Sequence, residues 1–146
     1  MNRRDMVGLL VLPALLASMH TPARADDQAP KADYQRVQPL LDTKSTILDQ
    51  KLIYPNGEAE VKAVVVTLMP GEETGRHMHT VPLFGHILEG ELAIQYEGEE
   101  EKTFKAGDSF IEALNTWHNG RVVGDKPARI LAVFIGNAET PPVIRP

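Results

Sequence analysis

The sequence predicts an all-β domain, a sandwich or barrel of roughly seven or eight short strands. Three observations carry this. Runs rich in β-branched residues close at glycine or at Pro-Gly. One segment alternates apolar and polar side chains with a period of two. No segment shows the apolar spacing of an amphipathic helix. The chain of 146 residues has room for one modest core, and no internal repeat is visible.

The first 25 residues read as a secretory signal peptide. Arg3 and Arg4 give a positive start, residues 7–19 form an apolar stretch, and Ala23-Arg24-Ala25 has the small-x-small form of a cleavage site. Pro13 breaks the stretch, which is short against the roughly 20 apolar residues of a bilayer span. The expected mature chain therefore starts at Asp26 and is periplasmic or secreted, with no membrane contact. The leader holds Arg3, Arg4, Arg24 and Asp5, a net charge of +2, so its loss takes the chain from −5 to −7. Such a surface argues against nucleic acid and anionic lipid as partners, since both need basic patches. With no cysteine in the chain, thiolate catalysis and cysteine-ligated metal or iron–sulfur sites are excluded.

Residues 26–54 are expected to be a lead-in with flanking strands. Residues 26–33 are polar and rich in Pro and Ala, and 34–53 suggest short strands or one helical turn. Tyr54-Pro55-Asn56-Gly57 is a turn. Residues 61–69 are strongly β-branched, end at Pro70-Gly71, and are expected to be a buried strand. Another strand covers 84–88. Leu92, Ile94 and Tyr96 alternate with Ala93, Gln95 and Glu97, the mark of a half-buried strand. Short strands are expected at 102–104 and 109–111, and a longer one at 129–135, closed by Gly136. Prolines bar the tail, residues 137–146, from any central strand.

The mature chain keeps four histidines, His77, His79, His86 and His118. On an extended backbone, residues two apart share a face, so His77 and His79 can converge on one ion while Met78 points away. Imidazole suits Zn, Cu, Fe and Ni. Taken alone, a His-x-His pair reads equally as two exposed loop residues.

The surroundings of these histidines resemble the cupin superfamily. Its first motif runs Gly, five residues, His-x-His, three or four residues, Glu, six residues, Gly. Here Gly71 precedes His77-Met78-His79, and Gly90 takes the closing position within Ile87-Leu88-Glu89-Gly90-Glu91-Leu92. The second motif runs Gly, five residues, Pro-x-Gly, two residues, His, three residues, Asn. Here it is Gly107, then Ala113-Leu114-Asn115, then His118 and Val122. Asn115 replaces a glycine, and Asn is the best substitute in a left-handed turn. The resemblance covers residues 55–136. It implies a double-stranded β-helix barrel, often a homodimer, with a divalent transition metal (Fe, Mn, Cu, Ni or Zn) on His77, His79 and His118.

One departure bears on the chemistry. The metal-binding glutamate of the family falls at Leu83, or at Phe84 with the longer spacer, and neither can ligate. Three imidazoles alone leave the site near +2, with open positions for a small anionic or chelating molecule. Some cupin dioxygenases resemble this in using three histidines and iron, which implies an oxidoreductase. A small-molecule binding or sensing barrel, with or without metal, is the alternative.

Other residues carry a functional and a plain reading. Glu112, six residues before His118, is an acid–base candidate or a solvated charge. His86 has the wrong parity to join the histidine face. Gln95 either lines the lumen or faces water, and Trp117 either walls the site or packs. Arg76 and Arg121 are candidate anion-attracting groups.

Overall fold

The computed structural model describes residues 36–146; the expected leader and the first part of the lead-in lie outside them. Nine strands are described: β1 Ala59–Leu68, β2 Met78–His79, β3 Leu83–Glu89, β4 Glu91–Tyr96, β5 Lys102–Lys105, β6 Ser109–Ile111, β7 His118–Val122, β8 Ala128–Asn137 and β9 Val143–Ile144. Among the described residues there is no helix. One sheet has the order β1-β8-β3-β6 and a second β5-β4-β7, while β2 and β9 form a small pair of their own. All of these pairings are antiparallel. This is a jelly-roll arrangement of strands, the all-β fold expected above.

The core lies between the two larger sheets. Ile87, Phe110 and Ile130 come from one, and Leu92, Ile94 and Tyr96 from the other. The period-two reading of β4 is realised in part: those three side chains are buried and Gln95 is exposed, but Ala93, expected on the open face, is buried as well. Gln95 donates to the carbonyls of Tyr96 and Glu99, so it turns outward rather than into the lumen.

Two expectations are corrected. Residues 61–68 are not a buried strand, because β1 is the edge of its sheet and pairs only with β8. Val61 is 65% exposed, and burial is complete only at Leu68. Residues 37–54 form no strand of their own either. They carry one isolated bridge, Ser45 to Lys51, around a turn in which Asp49 has φ 57°. Their apolar side chains go instead to the outer face of the four-stranded sheet. There Leu40, Leu41 and Ile53 line a groove of about 700 Å³ with Phe84, Val133 and Ile135. The tail does avoid the sheet centres, but Val143–Ile144 pairs with Met78–His79.

Gly90 shows why the first motif closes on glycine. Its φ is 73°, and a Cβ there would run into the Pro127 carbonyl. Gly98 also has positive φ, 81°, but open space around it. Gly98→Ala should therefore cost only the backbone strain, about 1–2 kcal/mol. Gly90→Ala adds a backbone collision and should cost more than about 3 kcal/mol. Denaturant melts of the two variants check the order; equal losses would remove the steric account.

Candidate metal centre

Backbone pairing builds the site. His77 and His118 face each other in an antiparallel bridge and exchange both hydrogen bonds, 3.0 Å from His77 N to His118 O and 2.8 Å in return. Their rings project from the same side, with centroids 4.3 Å apart. Tyr96 pairs with His118 across β4 and β7, so its ring extends the row, 4.9 Å away. His79 joins from two residues along, 4.9 Å from His77 and 5.0 Å from His118. Asn115 N donates to His79 O at 2.7 Å, and Asn115 adopts φ 51°, the left-handed turn expected of a glycine replacement.

Each ring has its Nδ1 against a backbone carbonyl. His77 meets Gly75 O at 2.7 Å, His118 meets Thr116 O at 2.9 Å, and His79 meets Pro142 O at 3.4 Å. A carbonyl only accepts, so each Nδ1 carries the proton and each Nε2 offers a lone pair. The three ligand atoms lie within 4.8 Å of one another. His118 Nε2 is buried with no hydrogen-bond partner. An orphaned buried acceptor among two others is what a bound cation would satisfy. The donor set fits a divalent transition ion.

Burial keeps these rings neutral. Desolvation lowers the pKa of all three histidines, that of His79 to about 3, with the neighbouring rings adding to the effect on His79. Glu112 moves the other way. It is the only acidic residue among the buried ones, and desolvation raises its carboxyl to about 7 against the opposing hydrogen bond from Tyr96. Tyr96 donates its hydroxyl to Glu112 Oε2, and burial together with that carboxylate raises the phenol well above its ordinary range. The same Oε2 is 3.7 Å from His118 Nε2.

The structure thus gathers His77, His79, His118 and Glu112 and leaves the other candidates outside. His86 lies on the opposite face of β3, with its Nδ1 2.8 Å from Ser109 Oγ. Arg76 stacks 4.1 Å over Trp117 and pairs with Glu97 at 2.7 Å. Arg121 pairs with Glu101 at 2.7 Å. Both arginines are thereby neutralised at the surface. Arg145, which donates to Thr74 O at 3.0 Å, adds only slightly to the lowering of the His77 and His79 pKa values, behind desolvation and the neighbouring rings. Nothing in the sequence singled it out. The only signal was its place immediately after a short β-branched pair, Val143-Ile144.

The cupin-domain family model matches residues 64–134, a span that holds all three histidines. No curated protein matches the sequence. Among solved structures, a DMSP lyase from Ruegeria pomeroyi is 26% identical with a TM-score of 0.50, over 57% of this chain and 42% of that one. An oxalate decarboxylase from Lactobacillus farciminis, solved as a formate complex, is 21% identical with a TM-score of 0.50, over 57% and 26%. A cupin-like protein from Thermotoga maritima is 19% identical with a TM-score of 0.53, over 57% and 62%. The chain spans less than half the length of the first two and less than two thirds of the third, and the last two likenesses speak to fold alone. Two sheets in jelly-roll order, both histidine motifs in place and a family match across them make one conclusion: residues 64–134 form a cupin domain.

Proposed function

We propose that this protein is a metal-dependent, dioxygenase-like oxidoreductase that acts on a small anionic or chelating organic molecule outside the cytoplasm. One observation carries the reading: three Nε2 lone pairs converge, each ring held in the required tautomer by its own backbone carbonyl. A divalent transition ion on such a set supplies Lewis acidity and, where redox-active, electron transfer to O2. The chain's part is to leave coordination positions open and to orient the substrate. Arg145, for which no carboxylate partner exists among the described residues, supplies a fixed positive charge beside the histidines. The likeness to a DMSP lyase supports a small-molecule substrate.

The test is oxygen uptake by protein loaded in turn with Fe(II), Mn(II), Cu(II) and Ni(II), against a panel of small carboxylic and enolic acids. Metal-dependent uptake with at least one acid is expected. Binding without turnover would favour the alternative, a small-molecule binding cupin. Arg145→Ala should weaken binding of an anionic ligand by about tenfold and leave a neutral chelator unaffected, since an exposed fixed charge acts mainly through Coulomb attraction. Equal effects on both would remove Arg145 from substrate binding.

Metal binding itself is separately measurable. One divalent ion per chain is expected by elemental analysis of untagged protein. His77→Ala or His118→Ala should abolish it, and His86→Ala should leave it intact. The reverse pattern would show the site to be misassigned.

The pH dependence has a definite sign. The unfolded chain titrates its histidines near pH 6.5, whereas the folded protein refuses those protons. Stability of the metal-free protein therefore falls as the pH drops through that range. Glu112 opposes this: its raised pKa contributes stability present below the ordinary carboxyl range and lost as the pH rises through about 7. In Glu112→Gln the opposing carboxyl is gone, so the metal-free Tm of that variant should be lower at about pH 5 than at about pH 7. Because burial already lowers the affinity of the folded rings for protons, the Tm gain on adding metal should change less between about pH 5 and about pH 7 than free imidazoles titrating near pH 6.5 would give. A gain that falls as steeply as for free imidazole would count against that account.

A further inference from the structure

The carboxylate that the family pattern places at position 83 is missing from the sequence, but not from that region of space. In β3 and β6, Phe84 faces Ile111, Gly85 faces Phe110 and His86 faces Ser109. The next pair in this register is Leu83 with Glu112, tied by a 3.0 Å bond from Glu112 N to Leu83 O. Cross-strand partners share a face. That face is the interior: Phe110 is buried in the core, and Leu83 is opposite Phe134, whose ring lies 5.6 Å from that of His79.

We propose that the carboxylate of Glu112 completes the coordination of the ion held by His77, His79 and His118, standing in from the neighbouring strand for the donor that Leu83 cannot provide. This rests on the three-histidine metal reading and adds a ligand to it. Donor atoms about 2.0–2.2 Å from one ion sit roughly 3–3.5 Å apart when adjacent. Glu112 Oε2 is already 3.7 Å from His118 Nε2 but stands outside the 4.8 Å cluster of the three histidine donors, so joining them needs a rotation of the carboxylate toward His77 and His79. The carboxylate is buried, and its one hydrogen-bond partner is the neutral hydroxyl of Tyr96. An anion so placed is costly without a cation beside it. Tyr96 then acts as a positioning residue: its hydroxyl orients the carboxylate, as outer partners of metal ligands do.

Mn(II) titration of wild type, Glu112→Gln and Tyr96→Phe tests this, with a melt of each metal-free protein to confirm folding. The amide keeps shape and can still accept from Tyr96, but loses the charge. Glu112→Gln should bind Mn(II) at least about a hundredfold more weakly, and Tyr96→Phe, which keeps the carboxylate but loses the hydroxyl that orients it, about tenfold more weakly. Unchanged affinity in folded Glu112→Gln overturns the proposal. So does an equal loss in both variants, because the pair would then only brace His118. If the amide variant does not fold, the exchange Leu83→Glu/Glu112→Leu takes its place, since it keeps one acid and one leucine in the pair. Mn(II) affinity within about tenfold of wild type is then expected, and loss of binding overturns the proposal. A wild-type protein that binds no Mn(II), Fe(II) or Zn(II) sinks the metal reading itself, a different result from any of these.

Discussion

The two hydrogen bonds that His77 and His118 exchange through their backbones set the geometry of everything around them. Residues paired in this way sit with Cα atoms about 5.5 Å apart and side chains on one side. The rings therefore meet because the strands meet, with no need for side-chain packing to bring them together. His79 follows from the period of an extended chain, and Tyr96 from the pairing of β4 with β7. The remaining freedom, rotation and tautomer of each ring, is taken up by the carbonyls of Gly75, Thr116 and Pro142. Three donors are thus fixed by backbone groups, the least mutable part of the chain.

Burying three imidazoles, a phenol and a carboxyl in one apolar interior is costly, and the cost has a direction. Desolvation drives each group to its neutral form: the histidines lose affinity for protons, while Glu112 and Tyr96 hold theirs more tightly. Neutral imidazole is the ligating form. The burial that destabilises the histidines as cations therefore prepares them as donors. A dication in their midst would reverse the balance for Glu112 alone, favouring its anion.

The parts of this arrangement that are local in sequence could be read there. His-x-His spacing, the β4 alternation, Gly90 and the left-handed Asn115 each depend on a few neighbouring residues. What could not be read depends on pairings between distant segments. Gln50 clamps the turn before His118 by donating to Leu114 O at 2.8 Å and accepting from Leu114 N at 2.7 Å. Pro142 and Arg145 reach the site only because the tail pairs with β2. β1 misleads for another reason. Its β-branched composition reports strand propensity, which is the same at an edge as in the interior, so Val61 and Val65 read as core and lie exposed. Leu83 and Glu112 are far apart in the chain and neighbours in the fold, a pairing that no motif written along the sequence records.

Charge on the surface and charge at the site act over different distances. The chain is acidic as a whole, with a net charge of −5. At physiological salt, exposed charges more than about 8 Å away are largely screened. An approaching anion therefore meets weak general repulsion until it nears the histidines. There the nearby cations decide the outcome: Arg145, held against Thr74 O on the β2–β9 side, and the ion that the imidazoles fit. Arg76 and Arg121 cannot compete for it, since Glu97 and Glu101 already hold them. On the function proposed above, Arg145 is then the arginine that a small anion would meet beside the histidines, because Arg76 and Arg121 are already paired.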